Sequence, residues 1–212
     1  MIDEILRQEC DEKKIRKLHN NIVVAGKHSK KLIRNAKIRG KKKNDRKYYD
    51  PEYMEKTGSI KEDEAVFLYK FVKYVNPKNN ILEIGTWFGT SAVVMAEALR
   101  DIGSDKKVYT CDKYDLLVVN DEKIVYRNVM SDVFINTLMS EGIKFDMIFI
   151  DAEFAKSDYE NVISLINPLV LIIHDYETGE KGWRNIVHLK EKTGKDYKIY
   201  TYGIYGIIND KI

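Results

Sequence analysis

The chain has 212 residues, of which 44% are hydrophobic and 33% charged, and it contains only three prolines. This size and composition suit one globular α/β or α+β domain and exclude a disordered or fibrous protein. The two cysteines form no CxxC or CxxH pair, the N-terminus does not resemble a signal peptide, and no run of 18 apolar residues occurs. We therefore expect a protein of the reducing cytoplasm without a membrane span.

Positive charge is concentrated near the N-terminus. Residues 13–47 contain 15 Lys or Arg and one acid, whereas the rest of the chain is acidic overall. We interpret residues 1–47 as a basic helical N-terminal arm and residues 48–212 as the main domain. Such an arm can bind phosphates or another polyanion. The alternative is an ordinary solvated helical face, because Ile, Leu and Ala recur there at helical spacing.

Helical and extended patterns alternate from residue 60 onward. Helices are predicted over 60–75, 90–100, 131–142, 156–166 and 182–194. Strands are predicted over 80–85, 107–112, 123–129, 145–151 and 168–175, with a terminal hairpin over 198–209. The strands are nearly unbroken runs of Ile, Val, Leu and Phe, which predicts a parallel sheet covered on both faces, and so a doubly wound α/β fold.

The ligand of a doubly wound sheet lies beyond the carboxyl ends of its strands. The first predicted strand runs into a turn between Gly85 and Gly89, where glycines let the backbone approach a ligand and the next helix begins with free N–H groups. Asp112 follows the second strand, where an acid can bind ribose hydroxyls. These features indicate a cofactor that carries adenosine, although the turn has neither GxGxxG nor P-loop spacing.

The segment ILEIGTWFGTSAVVMA (81–96) resembles motif I of class I S-adenosylmethionine-dependent methyltransferases, in the form found in catechol and caffeoyl-CoA O-methyltransferases. The resemblance extends from about Gly58 to the C-terminus. It implies a Rossmann-like, mostly parallel seven-stranded sheet with an antiparallel last strand, S-adenosylmethionine as cofactor, and a homodimer. The cofactor-binding residues that it implies are Glu83, Gly85, Thr86, Trp87, Gly89, Ser91, Asp112, Ser131 and Asp132.

Acidic residues also follow the fourth and fifth predicted strands. Asp151 and Asp175 would meet at one edge of the sheet, where their oxygens could hold a divalent cation such as Mg²⁺. Metal-dependent O-methyltransferases have Asp-Ala-Asp and Asp-Asn at the corresponding positions, and this chain departs from them with Glu153 and Tyr176. The His-Asp-Tyr after the fifth strand is more similar to a branch of antibiotic and sugar O-methyltransferases.

These residues predict a methyltransferase that modifies a hydroxyl of a small molecule. A bound cation would lower the pKa of the acceptor hydroxyl, with Asp151 at the reacting centre and His174 or Lys156 within reach of its proton. Two alternatives stay open at this point. The acceptor could be RNA or another polyanion recruited through residues 13–47, or the chain could be a cofactor-binding module without catalysis.

Overall fold

A computed structural model describes residues 1–29, 59–152, 161, 170–177 and 180–209 of the protein. Its centre is a seven-stranded sheet in the order β3-β2-β1-β4-β5-β7-β6. The strands are β1 Asn80–Ile84, β2 Val108–Cys111, β3 Ile124–Arg127, β4 Phe145–Ile150, β5 Val170–Ile173, β6 Ile199–Tyr202 and β7 Tyr205–Asn209. Strands β1 to β5 are parallel, and β7 runs antiparallel to both of its neighbours. The predicted doubly wound sheet with an antiparallel last strand is confirmed.

Helices cover both faces of this sheet. They are α1 Ile2–Leu6, α2 Glu12–Lys27, α3 Glu62–Val75, α4 Thr90–Asp101, α5 Ser131–Ser140 and α6 Lys181–Thr193. Helices α1 to α4 contribute to a core on one face, and α5 and α6 contribute to the core on the other. None of the helices within the described ranges is long and apolar enough to cross a membrane. The predicted helix over 156–166 lies almost entirely outside the described residues.

Helix α2, at the start of the basic segment, packs against the main domain. It is capped by Asp11, whose carboxylate accepts the N–H of Lys14 at 3.0 Å. Its buried residues recur at helical spacing: Ile15, His19, Ile22 and Gly26. The described start of the predicted arm is therefore packed onto the rest of the fold. The division at residue 47 lies outside the described residues and stays a prediction.

Two basic residues of α2 face acids of the main domain. Arg16 lies 2.6 Å from a carboxylate oxygen of Asp63, and Lys14 forms an ion pair with Glu97. His19 Nε2 lies 2.6 Å from the carbonyl oxygen of Ile60. Part of the positive charge near the N-terminus thus fixes α2 to the domain.

A close helix–loop contact makes Gly26 sensitive to substitution. A Cβ at this position would lie 2.3 Å from the ring of Phe88, in the loop after β1. We expect Gly26→Ala to lower the free energy of unfolding by about 1–3 kcal/mol, because the buried ring must shift to admit the methyl group. Urea denaturation measures this change, with Val24→Ala as a control on the same helix, since Val24 is 54% exposed. Equal stability of the two variants would contradict the tight packing.

Candidate active site

The predicted functional residues meet at the carboxyl edge of the sheet. Strands β1 and β4 are neighbours, and the strands that follow them in the chain lie on opposite flanks: β2 pairs with β1 and β5 pairs with β4. The junction of β1 and β4 is therefore a topological switch point. The Asp151 N–H donates to the Ile84 carbonyl at 2.8 Å, and the His174 N–H donates to the Ile150 carbonyl at 2.9 Å. These bonds extend the parallel ladder and bring the ends of β1, β4 and β5 into one site.

The loop after β1 depends on glycine at its first position. Gly85 has a φ of 100°, and a Cβ there would lie 2.7 Å from the backbone oxygen of Asp151. Two residues later Trp87 also has a positive φ, 47°, which is an unfavourable conformation for a bulky side chain. The Trp87 N–H donates to Asp112 Oδ2 at 2.9 Å, and the Tyr114 N–H donates to Oδ1 of the same carboxylate at 2.8 Å. Asp112 therefore joins the loops after β1 and β2.

The carboxyl group of Glu83 lies inside the fold, beneath this loop. Thr110 donates to Glu83 Oε2 at 2.5 Å, and the Thr86 and Thr110 hydroxyls are hydrogen-bonded at the same distance. Complete burial raises the pKa of Glu83 to about 8, against the opposing influence of the Ser91 and Thr110 hydroxyls. Glu83, Thr86 and Ser91 thus lie beneath the loop and do not line the cavity that is described next.

A cavity of about 430 Å³ lies over the strand ends. The predicted residues that line it are Gly85, Trp87, Asp112, Ser131, Asp151 and Asp175. Those outside its described wall are Glu83, Thr86, Gly89, Ser91, Asp132 and His174. Eight further residues of the described chain that were not predicted as site residues also line the cavity: Ile84, Cys111, Lys113, Tyr114, Val129, Met130, Ala152 and Lys181. The site accordingly combines one wall of polar strand-end residues with an apolar and aromatic wall from the loops after β2 and β3.

The structure brings the predicted acid pair together, and a lysine of the protein forms ion pairs with both carboxylates. Lys181 Nζ, at the start of α6, lies 2.6 Å from Asp151 Oδ1 and 3.0 Å from Asp175 Oδ2. It also donates to the backbone oxygen of Asp151 at 3.2 Å. Asp175 has a φ of 55°, so its carboxylate is directed by a left-handed turn directly after β5.

The side chain of His174 lies between this pair and α3. Its Nδ1 is 3.1 Å from Asp151 Oδ1 and 3.2 Å from Asp175 Oδ1, and its Nε2 is 3.1 Å from Glu64 Oε2. Burial disfavours the charged imidazole, but the three carboxylates outweigh it and raise the pKa of His174 to about 11. Burial likewise opposes ionisation of Asp175, but His174 and Lys181 hold its pKa well below the ordinary range.

This protonation state bears on the predicted role of His174. The raised pKa favours the protonated imidazole, which is a poor acceptor for the proton of an acceptor hydroxyl. The other predicted proton acceptor, Lys156, lies outside the described residues and stays a prediction.

Asp151, His174 and Asp175 offer a donor set that fits a divalent cation. Their ligand atoms lie within 4.8 Å of one another, and the set combines two carboxylates with an imidazole nitrogen. His174 Nδ1 is buried and reaches no hydrogen-bonding alignment with any described residue. The ammonium group of Lys181 contacts the same two carboxylates, so a metal ion that uses both of them must compete with Lys181.

Two charged residues that contact His174 or the acid pair, Glu64 and Lys181, were not predicted from the sequence. Glu64 belongs to α3, which precedes the sheet in the chain, and no local pattern relates it to His174 110 residues later. The sequence contained a weak indication of Lys181, because a helix that follows a parallel strand begins near the carboxyl edge of the sheet, where the site lies.

Comparison with known proteins identifies the fold around this site. A family model described as a methyltransferase domain matches residues 82–176. Residues 82–176 are therefore similar to a methyltransferase domain. This segment contains the glycine loop, Asp112 and the acid pair, so the match covers the strand ends that line the cavity. A search of curated proteins found no significant match.

Solved structures share the fold of this chain. An O-methyltransferase from Bacillus cereus in complex with SAH has a TM-score of 0.54 at 18% identity, covering 72% of this chain and 84% of its own. SAH-bound methyltransferase PaMTH1 from Podospora anserina has a TM-score of 0.56 at 14% identity, covering 94% and 96%. O-methyltransferase TomG from Streptomyces achromogenes, involved in tomaymycin synthesis and solved with SAM, has a TM-score of 0.53 at 19% identity, covering 71% and 78%. The fold is that of S-adenosylmethionine-dependent O-methyltransferases, as the sequence predicted.

Proposed function

We propose that the protein transfers a methyl group from S-adenosylmethionine to a hydroxyl of a small molecule. The observation that carries this proposal is the juxtaposition of the Gly85–Gly89 loop, Asp112 and the half-buried acid pair Asp151 and Asp175 around one cavity of about 430 Å³, within the segment that matches a methyltransferase domain. A cavity of this size suits small molecules. The O-methyltransferases with the same fold support an oxygen acceptor.

The cofactor would lie against the loop that follows β1. Asp112 would accept hydrogen bonds from the ribose hydroxyls through lone pairs beyond those used by the Trp87 and Tyr114 N–H groups. Met130 and Ser131, at the start of α5, would lie beside the adenine, because both line the cavity next to Asp112. In this arrangement the sulfonium end of the cofactor would lie toward Asp151.

The acceptor hydroxyl would then bind next to Asp151. As the oxygen attacks the methyl carbon, the O–C bond forms and the C–S bond breaks, leaving its electron pair on sulfur as S-adenosylhomocysteine. The hydroxyl proton would pass to the Asp151 carboxylate, which lines the cavity beside Gly85. The protein contributes alignment of the two reactants and a proton acceptor.

Asp151 and Asp175 would hold a divalent cation, and His174 Nδ1 would be the third donor after losing its proton to solvent. When bound, such a cation supplies Lewis acidity that lowers the pKa of an acceptor hydroxyl. Its presence in the working enzyme is part of this proposal.

A polyanionic acceptor receives no comparable support from the described residues. Lys14 and Arg16 belong to the basic segment over 13–47, and both form ion pairs with acids of the main domain. Recruitment of nucleic acid, a homodimer and a cytoplasmic location stay predictions.

The proposed function is tested by transfer of a labelled methyl group from S-adenosylmethionine into a host extract separated into small-molecule and RNA fractions. We expect label in the small-molecule fraction, where the product carries it as a methyl ether. Chelator is expected to reduce the label, and added Mg²⁺ to restore it. Label confined to RNA would overturn the proposed acceptor, and undiminished transfer in chelator would overturn the metal. Cofactor binding without transfer into any of several extracts would favour the non-catalytic alternative.

A further inference from the structure

We propose that Lys181 competes with a divalent cation for Asp151 and Asp175 and thereby sets the metal affinity of the site. The inference rests on the proposed function only in taking this acid pair as the place where a metal would bind. It assigns Lys181 control of metal affinity, a role that neither the family match nor the sequence pattern indicates.

The geometry places one ammonium group where a metal ion would have to bind. Lys181 Nζ contacts one oxygen from each acid, at 2.6 Å and 3.0 Å, and a backbone oxygen at 3.2 Å. All three N–H donors of an ammonium group can be used by these oxygens. A divalent cation that uses both carboxylates must displace Lys181 or share their charge with it.

Without the two carboxylates, the position of Lys181 would be unfavourable for a positive charge. It is the first residue of α6, where the helix dipole repels positive charge. Its side chain is 29% exposed, and burial of this degree further disfavours the ammonium ion. The two carboxylates are therefore what retains a charged Lys181 at this place.

The backbone around Lys181 is held against the end of β5. The Gly182 N–H donates to the carbonyl of Asp175 at 3.1 Å, and a Cβ on Gly182 would lie 2.3 Å from the carbonyl oxygen of His174. The start of α6 thus approaches the acid pair as closely as a glycine permits. The Lys181 side chain also lines the large cavity, which leaves it a path away from the acids when a metal binds.

A second observation indicates a ligand at this place. His174 is 8% exposed, and its Nδ1 faces both carboxylates without an aligned hydrogen bond to any described residue. Lys181 donates to the carboxylates, whereas this nitrogen lies 3.1 and 3.2 Å from them without an aligned hydrogen bond. A metal ion would engage all three groups, and Lys181 would then have to leave.

The test is a titration of the full chain with Mn²⁺, in which electron paramagnetic resonance measures the free ion, without cofactor or acceptor. We expect Lys181→Met to bind Mn²⁺ at least about tenfold more tightly than the wild type, because a positive charge adjacent to the ion is removed. Adding Asp175→Asn to Lys181→Met is expected to abolish the gain. Equal or weaker binding by Lys181→Met, or binding by neither protein, would overturn the proposal.

Lys190→Met is the matched control. Lys190 lies on the same helix and forms a surface ion pair with Asp196 at 2.7 Å, so its loss removes the same charge without affecting the acid pair. We expect its Mn²⁺ affinity to equal that of the wild type. Because the titration contains neither cofactor nor acceptor, its outcome is independent of whether methyl transfer to a hydroxyl occurs.

A measurement on the unmodified protein covers the case in which Lys181→Met does not fold. Acetylation of lysines by a water-soluble reagent, quantified by mass spectrometry, reports how accessible each ammonium group is. Saturating Mn²⁺ is expected to increase acetylation of Lys181 several-fold relative to Lys190, because the metal releases Lys181 from its carboxylates. An unchanged ratio at saturation would contradict displacement.

Discussion

Replacing Asp151 by asparagine is expected to lower kcat for methyl transfer by about 10²–10⁴-fold, which is the usual contribution of a positioned proton acceptor. The amide has nearly the shape of the carboxylate but cannot take up the hydroxyl proton. It also removes one of the two acids that contact Lys181 and His174. Steady-state kinetics with saturating cofactor and acceptor measures the change.

The same variant must be shown to retain its fold and cofactor. We expect its dissociation constant for S-adenosylhomocysteine, measured by calorimetry, to lie within about threefold of the wild-type value. Glu177→Gln is the control, since Glu177 is exposed on the segment after β5 and its substitution also removes one acid. Turnover by Asp151→Asn at the rate of this control would show that Asp151 takes no part in the chemistry.

Replacing Asp112 by alanine is expected to weaken binding of S-adenosylhomocysteine by about 10–100-fold. A hydrogen bond to a charged group contributes about 1.5–3 kcal/mol, and the proposed ribose contact is of this kind. The substitution also leaves the N–H groups of Trp87 and Tyr114 without their acceptor, which loosens the loop that would carry the cofactor. Calorimetric titration of the purified protein gives the affinity.

Two further variants separate the ribose contact from the loop contacts. Asp112→Asn keeps one oxygen that can accept a backbone N–H, so it should lose less affinity than alanine if loop order is the main effect. Asp115→Ala removes an exposed acid from the same loop and controls for a general loss of negative charge. An unchanged affinity in Asp112→Ala would remove Asp112 from the cofactor site.

Local sequence patterns were sufficient for the order of elements and for the positions of the strand ends. Apolar runs specified β1, β2, β4 and β5, which are mostly buried, because strands covered on both faces are predominantly apolar. Gly85 marked the loop after β1 because its positive φ and close approach to Asp151 exclude a side chain. Acids at strand ends could be placed together because parallel strands share one carboxyl edge.

Side-chain direction inside the site could not be obtained in this way. Glu83 and Ser91 match a cofactor-binding motif, yet the described structure directs Glu83 into the interior, where Thr110 is its partner. A strand residue points to one face or the other, and a motif match does not state which groups it meets there.

The sequence by itself determined that this chain forms a doubly wound sheet with a glycine loop and acids at the edge where a ligand binds. Only the tertiary structure decided what the acid pair touches: Lys181 between its two carboxylates, and His174 held from the other side by Glu64. It also decided that α2 packs on Phe88 instead of extending from the domain. The physical reason is that local periodicity records which face of an element is buried, whereas ion pairs between distant segments depend on how whole elements pack.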